Sequence, residues 1–232
     1  MKRFLIALTV LLVFSLVLGY AILSNGPNER SNVSSSTTTV IPEPPPVSKI
    51  LSRLNSYTSF CWAVDGTSLS LFGVRAENVK GCVNYTNDSA VYWIRTIHGR
   101  SFPYVVNSTA NDLDWSMVTS SVWPEINIVN FLRWMLESGN VTEVKRAGDN
   151  YEFHIFLRYV EESNAGTIEN PYLIRILQTW NVTLLVNGDG EPLNGHFTGS
   201  SRGPSNVYGA NWLHEGNFTF LGRWTNVLDV QG

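Results

Sequence analysis

Tyr151-Glu152-Phe153-His154-Ile155-Phe156-Leu157-Arg158-Tyr159 is the stretch on which the fold reading turns. Its odd-numbered residues are all apolar, and its even-numbered ones are mostly polar or charged, Phe156 being the exception. A strand turns successive side chains to opposite faces, so this period of two predicts a β-strand with one buried side. Val182, Leu184 and Val186 repeat the pattern, as do Phe218 and Phe220. Further strands are expected at residues 58–64, 68–74, 80–85, 90–96 and 104–106. Turn sequences separate them: Asp65-Gly66, Asn87-Asp88, His98-Gly99, Gly148-Asp149-Asn150 and Asn187-Gly188-Asp189-Gly190. The sum is a mainly antiparallel sheet.

Three segments depart from that period and read as helices. Residues 48–54 place Ile50, Leu51 and Leu54 on one side. Residues 124–138 begin with Pro124 at the first helical position and Glu125 in the first turn, and Gly139 stops them. This helix carries Ile128, Phe131, Leu132 and Met135 at helical spacing, with Ile126, Val129, Trp134 and Leu136 leaving little polar face. A helix this apolar needs cover nearly all round. Residues 170–178, capped by Asn170, form the third, with Leu173, Ile176 and Leu177 as its stripe. Helices gathered against one face of a single sheet satisfy this order, an α+β domain.

The N-terminus carries a separate signal. Residues 4–23 hold neither charge nor proline, and such a run spans about 30 Å as a helix, the thickness of a bilayer's hydrocarbon core. Lys2 and Arg3 precede it, which predicts a cytoplasmic N-terminus and an exported remainder. Gly19-Tyr20-Ala21 offers a cleavage site, so residues 1–24 read as a transmembrane anchor or signal. Residues 25–47 form a Ser/Thr/Pro-rich linker that cannot bury apolar surface and reads as a spacer. Residues 48–232 then hold one extracytoplasmic domain.

That domain is aromatic-rich, and Arg outnumbers Lys. It has no basic cluster able to track a phosphate backbone, so nucleic acid is not an expected partner. Cys61 and Cys82 fit an oxidising compartment as a disulfide, closing a loop worth on the order of 3 kcal/mol. Sequons N-x-[ST] begin at Asn32, Asn84, Asn87, Asn107, Asn140, Asn181 and Asn217. Asn84-Tyr85-Thr86, Asn140-Val141-Thr142, Asn181-Val182-Thr183 and Asn217-Phe218-Thr219 each have an apolar middle residue. On a strand this puts Asn and Thr on one face and the apolar residue on the other. The asparagines then read either as glycan acceptors or as ordinary exposed polar residues.

The element order carries a resemblance. A short helix at residues 50–54 leads into Asn55-Ser56-Tyr57 and then into long paired strands. Tyr104-Val105-Val106-Asn107, Asp112-Leu113-Asp114-Trp115, a central apolar helix and the strand at residues 151–159 follow. Over residues 48–228 this resembles the LolA/LppX-type lipoprotein-carrier half-barrels. The resemblance implies a curved antiparallel sheet with helices on its concave face, enclosing a hydrophobic cavity for acyl chains. The implied lining is Phe153, Ile155, Leu157, Leu184, Val186, Phe218 and Phe220 from the sheet, with Phe131, Trp134 and Met135 from the helix. The same residues equally suit an ordinary core without a cavity. The chain has no lipobox cysteine and uses a spanning segment instead, which suits a fixed receiver of a lipid or other hydrophobic molecule rather than a shuttle.

Signals for catalysis are sparse. Gly199-Ser200-Ser201-Arg202-Gly203 matches G-x-S-x-G, but Pro204-Ser205-Asn206 follows where a helix is needed, so it reads as a loop. His98, His154, His196 and His214 are dispersed, and only His214-Glu215 sits beside an acid, which argues against a metal site or triad. Asp112 and Asp114 read as loop carboxylates, and phosphate-binding glycine loops are missing, so neither enzyme activity nor a cofactor is expected. A rival function uses Tyr208, Trp212 and His214 in the loop-like run 203–216 as a sugar-stacking surface, making a glycan-binding or adhesion module. A structural envelope protein is a third reading. The expected partners are the membrane, crossed once, and a hydrophobic small molecule.

Overall fold

Two antiparallel meanders meet through the first and last strands. The computed structural model describes residues 42–69, 75–109, 112–166, 171–205 and 210–224. The anchor or signal at residues 1–24, and the linker as far as residue 41, lie outside these; among the described residues no helix is long and apolar enough to cross a membrane. Helix α1 (Val47–Asn55) leads into β1 (Ser59–Leu69), β2 (Arg75–Asn84), β3 (Ser89–Thr96) and β4 (Ser101–Asn107). Helices α2 (Asp112–Ser120) and α3 (Ile128–Ser138) follow. The second meander is β5 (Asn140–Ala147), β6 (Asn150–Gly166), β7 (Pro171–Val186), β8 (Pro192–Arg202) and β9 (Trp212–Gly222). All nine strands form one open antiparallel sheet in the order β4-β3-β2-β1-β9-β8-β7-β6-β5. The connection from β4 to β5 therefore joins opposite edges, and α2 and α3 carry it across one face.

That face holds the core. Phe60, Trp62 and Val64 of β1, Tyr92 and Ile94 of β3, Phe153 and Ile155 of β6, Trp180, Val182 and Leu184 of β7, and Phe218 of β9 are each at most 2 % exposed. Ile50 and Leu54 of α1 and Ile128, Phe131, Leu132 and Met135 of α3 join them in one cluster. The opposite face carries the disulfide between Cys61 and Cys82, which sit directly across from each other on β1 and β2 with Trp93 and Trp224 packed against it.

Large rings fit this inner face because glycine stands opposite them. Gly81 pairs with Trp62, Gly195 with Phe218, Gly199 with Trp180 and Gly216 with Phe197. A Cβ on Gly199 would lie 2.5 Å from the Trp180 ring, and one on Gly195 would lie 2.5 Å from the Phe218 ring. Glycine there lets each ring lie flat on the neighbouring strand's backbone. The same glycines, together with register shifts in β1–β2, β1–β9, β2–β3, β5–β6 and β7–β8, provide bend points in the curved sheet.

Several expectations are corrected. The helix expected at residues 170–178 is not formed over residues 171–178, Asn170 lying outside the described residues: β7 begins at Pro171 and pairs with β6 from Pro171 to Val186. Pairing with β6 along the whole segment, joined by β8 from Leu177 onward, overrides the helical spacing of Leu173, Ile176 and Leu177. Proline is compatible with the first position of that strand. The G-x-S-x-G run is not a loop, since Gly199 to Arg202 belong to β8. Likewise Trp212 to Gly216, expected in a loop, begin β9. The central helix starts at Ile128, capped by the Asn127 side chain, which accepts from the Asn130 amide; Pro124, Glu125 and Ile126 form a turn before it. Asp112 and Asp114 open helix α2 rather than lying in a loop. The strand expected at residues 68–74 is described only as far as Leu69, and residues 70–74 lie outside the described residues.

The glycine–ring packing makes a clear prediction. Gly199→Ala should lower stability in urea by about 1–3 kcal/mol through overpacking against Trp180. Gly188→Ala, where a Cβ meets nothing within 4 Å, should leave the midpoint within about 0.5 kcal/mol of the parent.

Candidate functional site

All ten residues expected to line a cavity are packed into the core or against it. Phe131, Met135, Leu184 and Val186 are fully buried, and Phe153, Ile155, Leu157 and Phe218 nearly so, while Trp134 and Phe220 are partly buried around the same cluster. Phe131 meets the rings of Trp180 at 5.2 Å and Phe197 at 5.8 Å, and Trp134 meets Tyr159 edge-on at 5.6 Å. One of them, Phe220, also lines an open cavity at the end of the sheet.

This cavity, about 560 Å³, lies where α1 ends, β1 begins, β8 begins and β9 ends. The C-terminus of α1 places Arg53, Ser56 and Tyr57 on its wall. Ser56 closes that helix, its amide bonding to Ser52 and Arg53 carbonyls and its Oγ donating to Arg53 at 2.7 Å. The β7–β8 turn supplies the opposite wall with Glu191 and Pro192. It is folded on Asn187, whose Oδ1 accepts from both the Asp189 and Glu191 amides at 2.9 Å, and Gly190 takes φ +79°. Lys49 Nζ donates to the Gly188 carbonyl at 3.2 Å and Arg53 Nε to the Asp189 carbonyl at 3.4 Å, which docks the turn on α1. The floor is aromatic, with Tyr57 6.0 Å from Phe60 and 5.9 Å from Phe220. Burial, followed by the nearby Glu191 carboxylate, pushes the Tyr57 hydroxyl up, with Arg53 opposing. At the rim, Arg53, Glu191 and Arg223 are exposed. Among the described residues the lining holds no histidine, cysteine, lysine or aspartate. The cavity therefore combines an apolar floor with two guanidinium groups and one carboxylate.

Sequence reasoning reached Phe220 but none of the rim residues. Arg53, Tyr57, Glu191 and Arg223 stand at element ends, where periodicity carries no information.

A second polar feature lies elsewhere on the inner face. His214 of β9 and Glu125 of the 124–126 turn form an ion-pair contact at 4 % and 1 % exposure. Their walls are Trp123, 5.3 Å from the His214 ring, and Phe197, 5.2 Å away, with Trp180 and Trp212 beyond. His214 Nδ1 has no hydrogen-bond partner among the described residues. Burial pushes the Glu125 carboxyl up, and His214 only partly offsets this. Glu215, the acid next to His214 in sequence, instead stands 3.8 Å from His196, exposed. Among the described residues no group of three His, Cys, Asp or Glu could hold a metal. Asp114 accepts a hydrogen bond from Tyr104, and that bond is the main reason the Tyr104 hydroxyl is pushed up to about 12. Trp212, considered for sugar stacking, is half-buried against Trp123 and Trp180 with ring planes at 59° and 52°; Tyr208 lies outside the described residues.

No protein-family model and no curated protein matches the chain.

The buried pair gives a pH prediction. Glu125 holds its proton in the folded protein above the ordinary value of 4.5 at which the unfolded chain releases it. Folding is therefore favoured by this group at low pH, and the contribution is lost as pH rises from 4.5 toward the folded value. Glu125→Gln removes that loss. Its stability relative to the parent, measured by urea unfolding, should grow by about 1.4 kcal/mol per pH unit across the window. His214→Ala, which leaves the carboxylate buried alone, should cost on the order of 3 kcal/mol at neutral pH.

Proposed function

We propose that this is a membrane-anchored extracytoplasmic binding protein that holds an amphipathic ligand in the cavity at the sheet's end. Residues 1–24 act as the single span and the linker as far as residue 41 as the stalk, since Pro42 accepts from the Tyr151 hydroxyl at 2.6 Å and Val47 opens α1. In this reading the curved sheet is a half-barrel of the LolA/LppX type with its helices on the concave face. The element order supports that, because a helix precedes the first strand and α2 and α3 run from one edge of the sheet to the other. The observation that carries the reading is the cavity itself: about 560 Å³, floored by Tyr57, Phe60 and Phe220 and rimmed by Arg53 and Arg223. Its volume falls within the range of small-molecule sites, and its mix of rings with a few convergent charges suits a lipid-like molecule bearing an acidic group. The role we assign is capture: the rings hold the apolar part of the ligand and the guanidinium groups its acidic group.

Native mass spectrometry of the full chain extracted from its membranes, followed by lipid analysis of what is released, tests this. A discrete acidic amphiphile should be retained by the parent. Arg53→Gln and Arg223→Gln should each weaken its retention about tenfold, equivalent to about 1.4 kcal/mol, and Phe220→Glu should abolish it. A bare protein mass for the parent, or retention unaffected by all three changes, would overturn the reading.

A further inference from the structure

Among the described residues the helices lie on one side of the open sheet, which leaves its other face without a helix and two edges unpaired, and sequons fall on all three. Asn181 of β7 and Asn217 of β9 are exposed, while their middle residues Val182 and Phe218 are 2 % and 1 % exposed on the core side. Asn84 ends β2, and Tyr85 beside it turns inward to the ring of Trp115 at 6.1 Å. Asn140–Ala147 departs from this alternation: β5 is exposed along its whole length, Val141 included. The reason is its place in the sheet. Among the described residues strand β5 pairs only with β6, and β4 only with β3, so these two are the edges. Asn140 is the first residue of β5 and Asn107 the last of β4.

An exposed edge presents unpaired N–H and C=O groups to a second copy of the chain, and nature blunts such edges with charge, proline or bulk. Here β4 carries Pro103, and β5 carries Glu143, Lys145 and Arg146 among Val141 and Val144. The acceptor amides are available. Asn107 Oδ1 accepts from the Thr109 amide at 2.8 Å and hydroxyl at 2.6 Å, and Asn84 Oδ1 accepts from the Thr86 amide at 2.9 Å. In both, the carbonyl oxygen is engaged, and Nδ2 has no partner among the described residues.

We infer that the bare face and both edges of this sheet are N-glycosylated, and that the glycans on Asn107 and Asn140 prevent edge-to-edge pairing between copies. The donor is a lipid-linked glycosyl diphosphate. The Asn Nδ2 bonds to its anomeric carbon, the bond from that carbon to the diphosphate oxygen breaks, and the lipid diphosphate leaves with the electron pair. The displaced amide proton passes to a base of the transferring enzyme. The inference rests on the proposed placement outside the cytoplasm, but not on the cavity or its ligand.

Peptide mass spectrometry of the protein purified from its own membranes is expected to find glycan mass on the peptides bearing Asn107 and Asn140, and on those bearing Asn181 and Asn217. Sedimentation velocity of Asn107→Gln/Asn140→Gln is expected to shift the protein from monomer to dimer and larger species. Thr109→Ala/Thr142→Ala, which removes the same sequons and keeps both asparagines, should do likewise. Unmodified edge asparagines, or edge variants that stay monomeric, overturn the inference. Protease shaving of intact cells separates the two layers: a domain cut from outside yet bare of glycan sinks the inference alone, whereas a protected domain sinks the placement as well.

Discussion

Aromatic rings laid on cross-strand glycines are the contact on which this architecture depends. A single sheet with helices on one face has only one surface on which to build a core, and that surface must hold unusually large side chains. Trp62, Trp180, Phe197 and Phe218 are all fully or nearly fully buried there, and each faces a glycine on the adjacent strand. Removing the Cβ from one partner lets the ring approach the backbone itself. Such pairs occur in both meanders: Trp62 opposes Gly81 in the first, Phe218 opposes Gly195 in the second, and their strands β1 and β9 pair in mid-sheet. The ring of Phe131 on α3 then packs on Trp180 and Phe197, so the helix that crosses the sheet is seated on the same rows.

The pairing of β1 with β9 has a further consequence for assembly. The centre of the sheet is made by the strands farthest apart in sequence, so it forms only when both meanders are present. Loop-closure entropy opposes that step, and topologies dominated by such non-local pairs fold slowly. The disulfide from β1 to β2 and the local hairpins act within one meander and cannot supply it. What favours the step is the burial of the shared aromatic rows, which neither half can complete alone.

The sequence was legible where one physical rule acts alone. Tyr151, Phe153, Ile155 and Leu157 alternate because a single face of β6 is buried, and all four are in the core. Residues 171–178 misled because Leu173, Ile176 and Leu177 mimic a helical stripe, yet Leu173 is 57 % exposed and only Ile174 and Gln178 are buried. Whether the segment is helix or strand was decided by β6 and β8, partners that no local window contains. Strand β8 was invisible for a related reason, because its inward positions 195 and 199 are glycines whose meaning lies in rings on other strands. Helix α2 buries only Val118 and leaves Leu113 72 % exposed, so it has almost no pattern to read. The Glu125–His214 pair and the cavity rim join residues from different elements, and their chemistry exists only after folding.

Packing energetics explain why the cavity sits at the end of the sheet and not under α3. Among well-packed cores an empty hole costs about 24 cal/mol for each Å³. Applied to 560 Å³ that is roughly 13 kcal/mol, comparable to the whole stability of a typical domain. A dry void of this size inside the core would leave almost nothing to hold the fold. The observed cavity escapes that penalty because Arg53, Glu191 and Arg223 at its rim are exposed and water has access to it. Its apolar floor is nonetheless costly to keep wet, since Tyr57 and Phe220 are only partly buried there, beside the covered ring of Phe60. A molecule that covers those rings while leaving a charged group at the guanidinium rim relieves that cost without disturbing the core.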